Sequence, residues 1–314
     1  MSRSRHLVDP ELQPLLDAFP TVAITQDNLS ELRNRELPLP PVEDSGVEWE
    51  ERTIPGAETP IGIRVYRPRS ASGPLGCIFH IHGGGYVGGK ASEMEFLHSP
   101  LAGELGCVIV TVDYRLAPET RFPGNIDDCY AALAWTFAQA GELGVDARRI
   151  GVMGESAGGG LAAALALLAR DQGEHRLAFQ HLIYPMLDDR TCVSEPHPFA
   201  GEFVWPAANN RFGWQALLGR EPGGEGVSAY AAPARAPDLS GLPPTFIATA
   251  ALDLFVDEDI DYARRLIRAG VPTELHVWPG AFHGFDLMPG PAVADAARAA
   301  SRAALRRSLA SGTR

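Results

Sequence analysis

The sequence predicts an α/β fold, in which a mostly parallel sheet of eight strands is flanked by helices on both faces. Two observations predict it. From about residue 47 onward, short apolar runs of strand type alternate with longer segments whose apolar residues recur at helical spacing. The chain has 314 residues, 45% of them hydrophobic, which suffices for the buried core of one large domain with an appendage.

The predicted strands begin with two amphipathic segments, and apolar runs follow. They cover residues 47–54, 61–66, 77–81, 107–112, 150–153, 177–184, 245–249 and 274–278. Helical spacing of apolar residues predicts helices over residues 92–105, 125–139, 157–172, 258–269 and 292–309. This alternation is typical of a mostly parallel sheet that helices cover on both faces.

Two segments fall outside the alternation of strands and helices. Residues 1–46 are polar, with a partly helical piece near 12–19 and a proline-rich end, and residues 188–230 are rich in Gly, Pro and aromatic residues, with a short helix near 210–218. Long insertions in a compact domain are usually lids or binding loops. We therefore predict that both segments form one helical cap on an α/β core of residues 47–187 and 231–314. A disordered tail is the alternative for the N-terminal segment.

Charge, cysteine content and hydropathy narrow the class of protein. A net charge of −12 and a pI near 5.2 argue against nucleic-acid binding, because phosphate contacts need clustered Lys and Arg. The four cysteines form no C-x-x-C pair, so neither a zinc site nor a redox motif is indicated. The first ten residues lack a signal-peptide core, and the longest apolar run, residues 161–169, is too short for a bilayer. We expect a cytoplasmic protein without stable membrane insertion.

Residues 154–158, Gly-Glu-Ser-Ala-Gly, have the form G-x-S-x-G. A short apolar strand precedes them, and the helical run from Leu161 follows. This strand–turn–helix arrangement is typical of a nucleophile elbow, whose sharp turn exposes the serine and requires small neighbours. Ser156 is therefore the candidate nucleophile. A glycine-rich packing turn is the alternative.

A second glycine-rich motif, His-Gly-Gly-Gly-Tyr at residues 82–86, follows the strand predicted at 77–81. Consecutive glycines leave backbone N–H groups uncovered, and such donors can bind the oxyanion that forms when serine attacks a carbonyl. The alternatives are a flexible loop and a phosphate-binding turn, but the sequence after Lys90 does not fit a phosphate loop. His80 and His82 could form a metal pair, but no third ligand stands nearby.

Ser156 needs a general base and a carboxylate that orients the base. His283 is the leading base among nine histidines, because it follows the last predicted strand in a loop with flanking glycines. The carboxylate should lie between serine and histidine in the chain. Asp253 ends an apolar strand and is favoured. Asp257 is the alternative, although it looks like part of an acidic first helical turn.

Together these motifs make the sequence resemble the bacterial hormone-sensitive-lipase-like esterases, an α/β-hydrolase family with H-G-G-G upstream of G-x-S-x-G. The resemblance spans nearly the whole chain and includes the stretches at residues 113–119, 184–188 and 253–258. It implies an α/β-hydrolase fold with a helical cap and the catalytic residues Ser156, Asp253 and His283. The proposed chemistry needs no metal and no cofactor.

The resemblance also implies that the N–H groups of Gly84, Gly85 and Ala157 are the oxyanion donors. One position departs from the family pattern, since Glu155 stands where many members carry Asp. We expect this change to bear on subfamily and cap contacts and to leave activity unaffected. Relatives often dimerise through the C-terminal edge strand and helix, so a homodimer is compatible with the resemblance.

Aromatic residues in the two cap segments are too numerous for solvated loops. They are Phe19, Phe199, Phe203, Trp205, Phe212 and Trp214. We predict that they roof an apolar acyl pocket, and we assign substrate binding to Tyr86, Phe203, Trp205 and Phe212. A roof of limited size favours esters with about two to eight acyl carbons.

The sequence therefore predicts a serine carboxylesterase that hydrolyses a small-molecule ester through an acyl-enzyme. An amidase or peptidase with the same triad is the first alternative. A small-molecule receptor on the same fold is a second, less favoured because such receptors have lost triad members and His283 is present here.

Overall fold

A computed structural model describes residues 2–18, 21–35, 44–287 and 289–311. The strands in this part of the chain are β1 (Val47–Ile54), β2 (Ile61–Pro68), β3 (Leu75–Ile81), β4 (Val108–Asp113), β5 (Val145–Glu155), β6 (Gln180–Ile183), β7 (Thr245–Ala250) and β8 (Thr273–Trp278). They form one eight-stranded sheet in the order β1-β2-β4-β3-β5-β6-β7-β8. The two pairings that involve β2 are antiparallel, and all the others are parallel. The predicted fold class is confirmed.

The helices lie close to their predicted positions, with one addition. They are α1 (Gln13–Ala18), α2 (Leu29–Asn34), α3 (Glu95–Leu105), α4 (Gly124–Ala138), α5 (Ala157–Gln172), α6 (Ala207–Leu218), α7 (Val256–Arg268) and α8 (Ala292–Ala310). Helix α2 was not predicted, because its six residues are too few to show a helical repeat. Among the described residues, no helix is both long and apolar enough to span a bilayer.

Helices cover both faces of the sheet, as the strand sequences require. In β3, Phe79 packs into the core that α4 and α5 complete, whereas Ile78 faces the cluster that contains Leu101 of α3 and Leu305 of α8. Successive side chains of a strand point to opposite faces, so a central strand that is covered on both faces is largely apolar. The apolar residues of β3 have this cause, and the buried His80 is the exception.

The parallel strands end at one edge of the sheet, and the loops that follow them meet there. The glycine-rich loop at 82–86 follows β3, Ser156 follows β5, Asp253 lies just after β7, and His283 lies in the loop after β8. Ligands of open α/β sheets bind outside the carboxyl ends of the strands. The topology therefore collects the four sequence motifs at this edge, which we call the catalytic edge.

The two segments that interrupt the alternation contribute α1, α2 and α6. They contact each other: the backbone N–H groups of Arg3 and Ser4 donate to the carboxylate of Glu202 at 2.9–3.2 Å. The side-chain amide of Asn209 accepts from the N–H of Ile24 and donates to the carbonyl of Val22, each at 2.9 Å. The described parts of both segments therefore form one connected layer, although the division into cap and core stays a prediction.

Candidate active site

Ser156 sits in the tight turn between β5 and α5. Its backbone angles are φ 56° and ψ −123°, a strained conformation for a residue with a side chain. The turn has no room for larger neighbours, because a Cβ on Gly154 would lie 2.2 Å from the carbonyl oxygen of Gly158. A Cβ on Gly158 would lie 2.1 Å from the carbonyl oxygen of Ile81. The glycines of the motif thus allow both the turn and its close contact with β3.

A chain of hydrogen bonds joins Ser156, His283 and Asp253. Nε2 of His283 lies 2.9 Å from Oγ of Ser156, and Nδ1 lies 2.7 Å from Oδ2 of Asp253. All three residues are buried. A carboxylate only accepts, so Nδ1–H donates to Asp253 and leaves Nε2 as the acceptor for the serine hydroxyl. The arrangement can remove a proton from the serine.

The carboxylate of Asp253 is itself held in place, because its Oδ1 accepts the N–H of Phe255 at 3.0 Å. The competing carboxylate, Asp257, is exposed in the first turn of α7. Glu258 from the same turn is buried and accepts the N–H groups of Leu187 and Asp188. The structure therefore brings Asp253 to His283 and points its acidic neighbours elsewhere.

Three backbone N–H groups belong to residues beside the serine, since Gly84 and Gly85 line the same cavity as Ser156 and Ala157 follows it in the chain. Gly84 and Gly85 have φ angles of 114° and 61°, which suit glycine, and Ala157 is the first residue of α5. The described residues offer none of these N–H groups a hydrogen-bond acceptor. The N-terminus of α5 also favours negative charge. The arrangement can bind an oxyanion next to Ser156.

A cavity of about 360 Å³ opens beside Ser156 and His283. Its apolar wall is formed by Ile24, Leu29, Leu32, Val87, Met94, Val204, Trp205 and Leu287. Arg33, Arg35, Lys90, Glu93 and Glu155 are the charged residues around it. The wall is therefore mainly apolar, and much of it comes from α2 and the residues just before it.

Of the four residues assigned to substrate binding, only Trp205 lines this cavity, with its ring 6.3 Å from that of His283. Tyr86 does not line the cavity: its ring is buried against Trp214, and its hydroxyl donates to the carbonyl of Met186 at 3.1 Å. The positive φ of 66° at Tyr86 accompanies this inward orientation.

Phe203 and Phe212 do not line the cavity either. Phe203 packs against Phe282 at 6.0 Å, and Phe212 packs against the main core. Trp214 is fully buried, Phe199 is 44% exposed, and Phe19 lies outside the described residues. Most cap aromatics thus secure the layer to the core, and aliphatic residues form the cavity wall.

Sequence reasoning missed the contribution of α2. Leu29 and Leu32 are three residues apart and face the cavity together, but one such pair in a six-residue helix does not identify a helix or its contacts. Arg33 holds α2 against the loops that contain Val87 and Ala117. Its Nε donates to the carbonyl of Val87 and its Nη2 to that of Ala117, each at 2.6 Å. The cavity wall is therefore tied directly to the glycine-rich loop region.

Glu155 was expected to bear on cap contacts, and its side chain instead points to the neighbouring strand. Oε2 of Glu155 lies 2.8 Å from Nε2 of His80. Burial raises the pKa of Glu155 to about 7 and lowers that of His80 to about 3. The ring of His82 stacks on that of Tyr114 at a centroid distance of 4.4 Å, and its Nδ1 lies 2.8 Å from the carbonyl oxygen of Gly83.

The chain is similar to known esterases over most of its length. A model of the alpha/beta hydrolase fold family matches residues 78–287. Carboxylesterase NlhH of Mycobacterium tuberculosis is 38% identical over 96% of each chain, and an arylesterase of Saccharolobus solfataricus is 31% identical over 88% of this chain and 92% of the other. The solved structure of a bacterial heroin esterase matches with a TM-score of 0.89 at 40% identity, covering 98% of this chain and 99% of that chain.

Proposed function

Since the chain belongs to the α/β-hydrolase fold family, we propose that it is a serine carboxylesterase acting on small-molecule esters. The hydrogen-bonded chain from Asp253 through His283 to Ser156 carries this proposal. The relatives named carboxylesterase and esterase support the ester class of the substrate. Each residue role below is part of the proposal.

In the first half-reaction, Nε2 of His283 takes the hydroxyl proton of Ser156 as Oγ attacks the ester carbonyl. The carbonyl oxygen becomes an oxyanion and accepts hydrogen bonds from the N–H groups of Gly84, Gly85 and Ala157. One such donor is typically worth about 2.7–4 kcal/mol in the transition state. The protonated His283 then gives its proton to the leaving alkoxide, and the alcohol departs from the acyl-enzyme.

In the second half-reaction, His283 removes a proton from a water molecule, and the resulting hydroxide attacks the acyl carbonyl. The same three N–H groups bind the second oxyanion. Ser156 leaves with the proton from His283, and the carboxylic acid is released. Asp253 holds the imidazole in the tautomer that both halves need and stabilises its charged form.

The cavity supports the proposal of a short to medium acyl chain. About 360 Å³ is near the lower end of small-molecule sites, and its wall is mainly apolar. Each buried methylene adds at most about 0.8 kcal/mol until the chain meets the wall. We therefore propose a preference for about two to eight acyl carbons.

We propose that residues 1–46 and 188–230 act as the cap that limits this chain length. The contacts of Glu202 and Asn209 join the two segments, and Trp205 of the second segment packs on the glycine-rich loop at 82–86. A Cβ on Gly85 would lie 2.1 Å from the Trp205 ring, which shows how closely the two approach. The homodimer and the cytoplasmic location stay predictions.

The test is turnover of p-nitrophenyl esters of increasing acyl length, with covalent labelling by a fluorophosphonate as a second readout. We expect ester hydrolysis and labelling in the wild type, and loss of both in Ser156→Ala. A matched anilide should react far more slowly than its ester, and equal rates would favour the amidase alternative. A protein that neither turns over esters nor becomes labelled would contradict the proposal.

A further inference from the structure

Glu155 takes part in a side-chain connection that the proposed reaction does not use. It is the last residue of β5, directly before the nucleophile. His80 lies on β3, two residues before the glycine-rich motif, and Thr111 lies on β4 opposite His80. The three strands are adjacent in the order β4-β3-β5. Their polar side chains thus cross the sheet beneath the catalytic edge.

The contacts in this connection are short and largely buried. Nε2 of His80 lies 2.8 Å from Oε2 of Glu155, and Nδ1 of His80 lies 2.9 Å from Oγ1 of Thr111. The side chain of His80 is fully buried, and that of Glu155 is 12% exposed. The ring of His98 from α3 covers His80 at a centroid distance of 4.1 Å. We call the set Glu155, His80 and Thr111 the strand bridge.

The protonation state of Glu155 determines which atoms donate and which accept in the strand bridge. Burial lowers the pKa of His80 to about 3, so its ring is neutral and carries one N–H. With Glu155 ionised, Nε2–H donates to the carboxylate and Thr111 donates to Nδ1. With Glu155 protonated, the carboxyl donates to Nε2, and Nδ1–H donates to Thr111. Both hydrogen bonds therefore exist in either charge state.

The backbone pairing of β3 with β5 stops short of the reacting groups, whereas on the β6 side the N–H of Ser156 donates to the carbonyl of Ile183 at 2.9 Å. Pairing of β3 with β5 ends at Ile81 and Gly154. Ser156 and the N–H groups of Gly84 and Gly85 lie beyond that last pair. Misplacement of reacting groups by about 1 Å can cost on the order of 10²-fold in rate. The distance between nucleophile and oxyanion donors thus depends on contacts outside this pairing.

We propose that Glu155 is a positioning residue that acts through His80 and Thr111 to set the distance between Ser156 and the oxyanion donors. The proposal rests on the proposed function of the same site. It requires that a side chain at 155 form the hydrogen bond to His80, and it does not require the negative charge. Gln can form that bond in either direction, whereas Met has a similar size and cannot.

The experiment compares Glu155→Met with Glu155→Gln in kcat and KM for a p-nitrophenyl ester, together with the inhibition constant of a trifluoromethyl ketone. This ketone forms an oxyanion on Ser156 and so reports on oxyanion binding. We expect Glu155→Met to lower kcat by about 10- to 100-fold while KM stays within about 3-fold of the wild type. The inhibition constant of the ketone should rise by about the same factor as kcat falls. Glu155→Gln should keep kcat within about 3-fold of the wild type.

Thr111→Val tests the other end of the strand bridge with little change in shape, and it replaces Glu155→Met if that variant fails to fold. We expect it to lower kcat by about 3- to 10-fold. Ser301→Ala is the matched control, because it removes a 2.8 Å hydrogen bond to the buried His181 on β6, and neither of these residues belongs to the strand bridge. It should leave kcat unchanged even where the melting temperature falls.

Three results would overturn the proposal: a kcat above about one third of wild type in both Glu155→Met and Thr111→Val, equal losses in the Met and Gln variants, or a loss confined to KM. Failure of the proposed function would look different. In that case the wild type itself would not hydrolyse the ester, or Ser156→Ala would retain the activity.

Discussion

The catalytic edge and the cap are held by different kinds of contact. At the catalytic edge, the proposed reacting groups follow strands of a continuous sheet, and Ser156, His283 and Asp253 are buried and joined by hydrogen bonds. The cap is joined to the core by buried apolar side chains such as Leu12 and Trp214, whereas α2 and the junction between the two cap segments also depend on a few polar side chains, among them Arg33 and Asn209. The difference suggests that the chemistry depends on the sheet, while substrate size depends on contacts that single substitutions can remove.

The largest expected loss of activity comes from substitutions at the catalytic edge. Ser156→Ala and His283→Ala should each lower kcat by about 10⁴–10⁶-fold, because a triad acts as a unit. Folding should be nearly unchanged, which circular dichroism and the melting temperature check. If either folded variant keeps more than about a tenth of the wild-type activity, the assignment of nucleophile or base is wrong.

Asp253→Asn should lower kcat by about 10³–10⁴-fold, because the amide favours the wrong imidazole tautomer. Asp257→Asn is the matched control, since its carboxylate is exposed in the first turn of α7. We expect the control to stay within about 3-fold of the wild type. If Asp257→Asn lowered kcat more than Asp253→Asn does, the third triad role would belong to Asp257.

Glu155 allows a stability test at the catalytic edge. Burial raises its pKa from 4.5 to about 7, so the folded state holds a proton that the unfolded chain releases between these values. Stability from this group is complete below about pH 4.5 and falls by about 3 kcal/mol as the pH rises to about 8. Gln does not titrate, so the stability of Glu155→Gln relative to wild type should rise over that range.

Urea unfolding of both proteins at several pH values measures this difference. Titrations shared by the two proteins cancel in the comparison, since only residue 155 differs. Parallel stability curves for wild type and Glu155→Gln would show that the pKa of Glu155 is not raised in the folded protein.

The smallest expected effect is in the cap. Arg33→Met removes the hydrogen bonds to the carbonyls of Val87 and Ala117 and so loosens α2, whose Leu29 and Leu32 line the cavity. We expect kcat/KM at the optimal acyl length to fall by about 3- to 10-fold, and that of the acetyl ester by less than about 2-fold. A panel of p-nitrophenyl esters measures the profile.

Glu119→Gln is the control for this variant, because it removes only the carboxylate that pairs with Arg33 at the surface. Exposed ion pairs contribute about 0–1 kcal/mol, so the control should leave the profile unchanged. An unchanged profile in Arg33→Met would show that α2 does not limit the acyl chain.

What the sequence determined by itself was local chemistry. The backbone geometry of a nucleophile elbow requires small residues next to the serine, since a Cβ at Gly154 or Gly158, each two positions from Ser156, would clash with the backbone. The central strands were predictable for a similar reason, because burial on both faces makes a strand such as β3 largely apolar. In both cases, the constraint acts on consecutive residues, so one sequence displays it.

The tertiary structure alone decided which distant side chains meet. Tyr86 turns into the core beside Trp214, Leu29 and Leu32 reach the cavity, and Glu155 bonds to His80, which is 75 positions away in the chain. No local pattern encodes these contacts, because they depend on strand order and on the packing of α2 and α6 against the sheet. A side chain's neighbours across the sheet are set by the register of other strands, and a single sequence does not display that register.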